Sequence, residues 1–426
     1  MGTLIRKTKT FIRLVKNSLY PEKKVENNQL ENRDRIKARI RETIPIHFRN
    51  CHYARKRLNL MIPSVNCEHV FGGIATAFRF FKCILEASGW DGRIIVTDAS
   101  VNKDNIDDYV KKFKIIDPME ESSERMQLID LFCREDITIP VSQQDYFVFT
   151  SWNGAFCIQE AYSEFKTAPN VFLYLIQDYE PGFYSWSDRY ILADSTYSRS
   201  YDQIAIFNSS QLQTYFSNND YYFAKEYCFE PKLNTTLRKK WELIEGKCRK
   251  KKKIIIYGRP STSRNAFDII IEGLRYFVSV FTDAKEWEFV SAGEKHEEIV
   301  LADSIFLKSL GKLTLDEYAQ LLEEAYAGVS LMVSPHPSYP PLEMATFGIN
   351  VITNAYKNKD LSCFCKNIIS INDVTPRNIG KKLKEVCSEY SSEVELPKLS
   401  GSNYIDDLPE FGFVEDLLQC VQEQRK

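Results

Sequence analysis

The sequence predicts an α/β protein built from two doubly wound, Rossmann-like halves. Three observations lead there. A chain of 426 residues exceeds what one hydrophobic core supports, so two halves of roughly 150–200 residues are expected. Residues 58–97 read as strand, glycine-containing turn, helix and strand, the unit that opens a doubly wound sheet. A second strand–loop–helix series starts at Ile254, and strands alternate with helices from there to residue 390.

Composition narrows the class. Apolar residues make up 44% and charged residues 27%, as in an ordinary globular protein. The net charge of -2 is uneven: residues 1–40 hold eleven basic and four acidic side chains, leaving a main body that is acidic. That body lacks the electrostatic footprint of a nucleic-acid binder. No apolar run reaches the length of a membrane span, and Arg13 and Lys16 interrupt the first apolar cluster, which argues against a signal peptide. The eleven cysteines are odd in number and scattered through apolar runs, the pattern of reduced, buried thiols in a cytoplasmic protein. Cys363 and Cys365 lack a second matching pair, so no metal site is expected.

Residues 3–20 place Leu4, Ile5, Phe11, Ile12, Val15 and Leu19 near one helical face flanked by basic residues. Such a helix either lies on an anionic membrane or packs on protein, and 1–40 is set apart as a basic amphipathic segment. The N-terminal half spans 41–240. Leu58–Val65 is its first strand, Ile74–Ser88 a helix ended by Gly89, and Arg93–Thr97 the second strand. Gly72 and Gly73 between them let backbone approach a ligand, though many such turns bind nothing, and they do not form a dinucleotide fingerprint. Strands follow at Tyr146–Thr150, Val171–Ile176 and Gln203–Phe207, with a helix from Trp152 to Ala161 and another from Gln211 that Ser209 caps. The fourth of these five N-terminal strands, Val171–Ile176, runs into Gln-Asp-Tyr-Glu-Pro-Gly. Asp178 there can orient an acceptor hydroxyl or simply serve the turn, and Glu180 is given no role.

Residues 230–252 are charged and read as a linker, with Lys247–Lys253 as a solvated face. The second half, 241–404, opens with Ile254–Tyr257, then Gly258–Asn265 and a helix to about Ser279. Arg259 and Arg264 bracket that loop, and two guanidiniums at a helix start suit phosphate. Strands Trp287–Ala292 and Ile305–Leu310 follow, then Lys312 and a helix Leu315–Tyr326 capped by Thr314 with Glu317. Val329–Val333 reads as a buried strand. A loop with four prolines leads from it to a helix whose first helical residue is Pro341 and whose stop is Gly348. Glu343 then falls in the first turn. It either holds the two hydroxyls of a ribose or complements the helix dipole, the latter stabilising by about 0.3–1 kcal/mol. Asn367–Ile371 is a short strand, Asn378–Tyr390 a helix, and Phe413–Gln424, within the terminal segment 405–426, the last helix.

These residues resemble the GT-B glycosyltransferases of glycosyltransferase family 4. The matching positions are Gly258, Arg259 and Arg264, then Leu310-Gly311 and Thr314, then Ser334, Leu342, Glu343, Ala345, Gly348, Val351 and Ile352. The Ile-Gln-Asp-Tyr-Glu-Pro segment and the proline-rich loop are similar to a bacterial rhamnosyltransferase group, over most of residues 50–426. The resemblance implies two Rossmann-like domains facing across a cleft, with the last helix crossing back to the first. It implies that Arg259 and Arg264 hold a donor diphosphate, that Glu343 holds the ribose, and that Gly72 and Gly73 face diphosphate and acceptor. Where the family often carries a first glutamate this chain has Pro335, so the sugar contact passes to Tyr339, His336 or Lys312.

The implied reaction is retaining transfer of a sugar, dTDP-L-rhamnose being the donor, to a lipid-linked or oligosaccharide acceptor in a growing cell-surface glycan such as an S-layer glycan. Asp178, Arg259 and Lys312 are the catalytic candidates. Preorganised charge stabilises the leaving diphosphate, with no cofactor or metal expected because no Asp-x-Asp motif is present. A cytoplasmic enzyme, peripheral on the inner face of the plasma membrane through residues 3–20, would fit. Two alternatives share the architecture: a nucleotide-sugar 2-epimerase, and a non-catalytic nucleotide-sugar-binding protein.

Overall fold

The computed structural model describes residues 40–70, 72–165, 171–199, 202–399 and 403–424. The amphipathic segment 3–20 lies outside the described residues. Residues 45–426 form one compact unit holding two large sheets, and Arg41–Thr43 of the preceding unit make a single 3-10 turn.

The first sheet has eight strands: β1 Arg57–Ile62, β2 Asp91–Val96, β3 Lys114–Ile115, β4 Met126–Asp130, β5 Asp145–Phe149, β6 Val171–Ile176, β7 Asp202–Phe207 and β8 Lys225–Cys228. They lie in the order β8-β7-β6-β5-β1-β2-β4-β3, and their pairings are parallel. β1, β2 and β6 are buried throughout; β6 is a continuous apolar run, while β1 and β2 also bury Arg57, Asn59, Asp91 and Arg93. One face packs on α1, Gly73–Ser88, through Phe80, Phe81 and Ile84. The opposite face packs on α2, Trp152–Phe165, through Ala155, Cys157 and Ile158. α3, Asp188–Ser195, and α4, Ser210–Asn218, follow β6 and β7.

The amino ends of these strands are locked. Arg57 pairs with Asp145 at 2.6 Å, and Asn59 donates to the same carboxylate at 2.8 Å, all three buried. Burial alone would raise Asp145, but the charges of Arg93 and Arg57 outweigh it and hold the carboxyl below its usual range. Rigidity at this edge leaves the carboxyl ends to the loops.

The second sheet contains β9 Lys251–Gly258, β10 Glu288–Gly293, β11 Ile299–Ala302, β12 Ile305–Gly311, β13 Ala325–Val329, β14 Asn350–Asn354 and β15 Ile368–Ile371. Its order is β11-β12-β10-β9-β13-β14-β15, parallel except for β11 against β12. Near its middle each sheet reverses the direction in which strands are added, between β1 and β5 and between β9 and β13. Those are the crevices in which open α/β sheets take ligands.

Several expectations need correction. The charged stretch 230–252 is not a bare linker. It contains α5, Thr235–Glu242, and a strand Lys247–Arg249 that pairs antiparallel with Glu393–Glu395. Its basic run is a solvated face only in part: Lys247, Arg249 and Lys251 are exposed, whereas Lys250 is 3% exposed, and its Nζ donates to the carbonyls of Leu322 at 2.9 Å and Phe347 at 2.8 Å. Exposure alternates from Lys247 to Lys251, a strand period disguised because a buried position is filled by an amine with its own acceptors. α6, Phe267–Val280, matches its reading closely, but α7, Leu315–Glu324, stops two residues early because Ala325 and Tyr326 begin β13. The strand read at 329–333 therefore ends where it was expected to start. The cysteines are unpaired, but only Cys157, Cys248, Cys365 and Cys387 are buried. α8, Tyr339–Thr346, precedes β14, and α9, Pro376–Ser388, packs on α6. The final helix α10, Val414–Glu423, lies on α1, where Leu417 and Val421 join the first sheet's core and Phe411 meets Phe80 at 5.2 Å. Among the described residues no helix is long and apolar enough to cross a membrane.

Candidate active site

Two loops leave the carboxyl edges of the two sheets and meet. After β6 the chain runs through Asp178. After β13 it runs irregularly to Ser338. Ser334 Oγ donates to Asp178 Oδ1, and Tyr179 N–H donates to the same oxygen at 2.8 Å. Arg264 Nε stands 3.6 Å from Asp178 Oδ2, and its guanidinium covers the ring of Phe183 at 4.2 Å. A buried carboxylate of the first sheet is thus held by a hydroxyl and a cation of the second. Such a group can accept a hydrogen bond from a substrate hydroxyl at this junction.

Why residues 330–333 are not a strand follows from their partners. Asn354, the last residue of β14, binds Met332 twice: its Oδ1 accepts from Met332 N–H at 2.7 Å and its Nδ2 donates to Met332 O at 3.0 Å. Val333 N–H donates to Arg264 O at 2.7 Å, and Asn265 Nδ2 donates to Leu331 O at 3.2 Å. Side chains and the Arg264 loop use up the ladder positions, and the same bonds fix Arg264 in place.

Behind Asp178 lie two buried bases. His336 Nδ1 accepts from Ser338 N–H at 3.0 Å, so Nε2 carries the proton in the neutral ring, and that nitrogen has no hydrogen-bond partner. Burial lowers the His336 pKa to about 4 despite Asp178. Lys359 is fully buried and donates to Met332 O at 2.6 Å. Burial drives its pKa down to about 7, with the Asp178 charge opposing. Sequence reasoning missed Lys359. Its signal was position: it lies just past β14, on the edge where the other candidates cluster.

The remaining candidates fall in separate surroundings. Arg259 follows β9 directly and is half-buried, its Cγ packed toward Gly293. Glu343 is not in a first helical turn as expected, because Ser338 takes φ +71° and α8 begins at Tyr339, ahead of both Pro340 and Pro341. The dipole reading of Glu343 weakens accordingly, since that effect fades beyond the first turn. Burial pushes its carboxyl up to about 7, the neighbouring Tyr318 hydroxyl opposing. Tyr339 sits against His336 at 5.7 Å between rings, and burial pushes its hydroxyl up to about 12. Gly73 approaches the other side: a Cβ there would lie 3.2 Å from the Gln177 amide, next to Asp178. Gly72 takes φ +50° before α1. Lys312 is exposed past β12. Glu180 accepts from Trp152 N–H at the start of α2, and burial raises it to about 8.

Asp178 and Arg264 are therefore joined directly, Gly73 adjoins them through Gln177, and Glu343 keeps a different set of neighbours. Among the described residues no cluster of His, Cys, Asp and Glu has the arrangement of a metal site.

Comparison with known proteins identifies the family and the fold. The WsaF N-terminal domain matches residues 57–210 and the WsaF C-terminal domain matches residues 252–384. The O-antigen biosynthesis protein RfbC of Myxococcus xanthus is 26% identical over 333 residues, which is 77% of this chain and 24% of that protein. The chain thus spans about a quarter of the length of that relative. Among solved structures, the sucrose-phosphate synthase of Thermosynechococcus elongatus superposes with a TM-score of 0.55 at 12% identity, covering 87% of this chain and 99% of that one. A trehalose-6-phosphate structure from E. coli, bound with UDP-2-fluoro glucose, gives 0.52 at 8% identity, covering 87% and 96%. The fold is GT-B, two Rossmann-like domains facing each other.

Proposed function

Because the chain belongs to the WsaF family, we propose that it is a glycosyltransferase of cell-surface glycan synthesis, taking L-rhamnose from dTDP-L-rhamnose to a growing lipid-linked or oligosaccharide acceptor with retention at the anomeric carbon. The observation that carries this reading is the 3.6 Å pair of Arg264 and Asp178, a cation from the loop after β9 meeting a carboxylate from the loop after β6. Charge for a leaving diphosphate and an acceptor for an incoming hydroxyl then adjoin, which is what group transfer between two bound partners requires.

In this scheme Arg259 and Arg264 grip the diphosphate, with Lys312 reaching it from the neighbouring strand end. Glu343 takes the ribose hydroxyls. Tyr339 lies along the sugar, and Gly72 and Gly73 leave room for diphosphate and acceptor beside Gln177. Asp178 orients the acceptor hydroxyl, and the leaving phosphate oxygen takes its proton on the same face. The arginines neutralise the phosphate charge, so the chemistry runs without a metal. Residues 3–20 bring a cytoplasmic enzyme to the inner face of the membrane. A transfer assay tests the whole: incubation with dTDP-L-rhamnose releases dTDP rapidly only when an oligosaccharide acceptor is added. Release of free, isomerised sugar from the donor alone would overturn transfer in favour of epimerisation.

A further inference from the structure

The segment after Asp178 carries an aromatic surface that the scheme above does not use. Trp186 is 89% exposed, with Ile191 at 68% and Phe183 at 37%. The Trp186 ring lies over Tyr190 with centroids 4.9 Å apart, and Ser187 caps α3 beneath them. The patch is built rather than loose. Tyr190 OH meets Tyr179 OH at 3.2 Å, and Tyr179 OH donates to Asp194 Oδ1 at 3.1 Å. It is also continuous with the reaction site, because Phe183 lies under the Arg264 guanidinium, which pairs with Asp178.

The chemistry of this surface selects its ligand. A pyranose ring has an apolar C–H face and a rim of hydroxyls. An exposed indole takes the face, and phenols with a carboxylate beside them take the rim. The local charge argues against a lipid surface. From Phe183 to Asp194 the chain carries Asp188 and Asp194 against Arg189, which offers no attraction to anionic headgroups.

We propose that Trp186 and Tyr190 form an acceptor subsite that stacks a sugar ring of an oligosaccharide, at least one unit removed from the residue whose hydroxyl meets Asp178. The subsite rests on the transferase reading and makes the acceptor a chain, not a single sugar.

The experiment uses the full-length protein with ladders of rhamnose and of glucose oligosaccharides, one to six units long, and with phosphatidylglycerol vesicles. Trp186 is monitored as the difference in acrylamide quenching between wild type and W186F, without donor. Oligosaccharides of three or more units should shield it, while monosaccharides and vesicles should not. In transfer assays W186A should raise the acceptor KM about tenfold and abolish the preference for longer acceptors. Its kcat, donor KM and thermal shift with dTDP should stay at wild-type values. An unchanged acceptor KM in the W186A/Y190A double variant, or shielding by vesicles with none by any oligosaccharide, overturns the subsite. A wild type that shows no transfer yet keeps oligosaccharide shielding overturns the transferase reading instead.

Discussion

Ser334 Oγ donates to Asp178 Oδ1 across 156 residues of sequence, from the loop after one sheet to the loop after the other. The bond places a hydroxyl of the proline-rich loop on the carboxylate that also faces Arg264. Hydrogen bonds to charged groups contribute about 1.5–3 kcal/mol when buried. A double-mutant cycle of D178N and S334A, read by urea unfolding, should give a coupling of about 0.5–3 kcal/mol. Additive effects would mean that the two side chains do not share this bond.

Ser338 enters α8 with φ +71° and ψ 142°, and its Oγ is buried without a partner. Strained non-glycine backbone costs on the order of 1–3 kcal/mol. S338G should therefore raise stability by about 1 kcal/mol, seen as a higher Tm. A lower Tm would show that the serine hydroxyl finds a partner there.

Gly258 ends β9 where the chain must turn to Arg259. A Cβ added there would lie 1.9 Å from Ser291 Oγ and 3.1 Å from the Phe267 ring. G258A should cost about 1–3 kcal/mol by overpacking. Adding S291G should restore most of it, since the nearest obstacle is removed. An unchanged midpoint in G258A contradicts this packing.

Lys359 supplies a pH dependence with a definite sign. Its amine titrates near 10.5 in an ordinary setting and near 7 when buried here. Between those values the unfolded chain binds a proton that the folded chain does not, so folding stability rises with pH. Relative to K359M, which lacks the titrating group, the wild type should gain stability steadily from pH 7 to pH 10. Parallel stability–pH curves for the two proteins would show the amine to be solvated.

Much of this architecture was legible in the residues. β6 was readable because a strand buried on both faces is an uninterrupted apolar run, β1 and β2 from their apolar carboxyl-terminal halves, and α7 because Thr314 and Glu317 form its capping box. β4, Met126–Asp130, and β11, Ile299–Ala302, escaped as short runs among charges. β13 was displaced because Leu331, Met332 and Val333 look like strand residues, while their backbone partners are Asn354, Arg264 and Asn265, far away in sequence. The candidate site divides the same way. Asp178, Arg259 and Arg264 stood at recognisable strand ends. Lys359 did not stand out, because its burial and its bond to Met332 arise only when the loop after β14 folds over the proline-rich loop.

The pair of arginines after β9 is tested most directly by thermal denaturation with dTDP, UDP, GDP and ADP, using wild type and the R259A/R264A double variant. A ligand that binds only the folded state raises the midpoint by mass action. Stabilisation of the wild type by dTDP above the other three, abolished in the double variant, is the expected result. Equal stabilisation of both proteins, or none by any nucleoside diphosphate, would contradict a diphosphate site at Arg259 and Arg264.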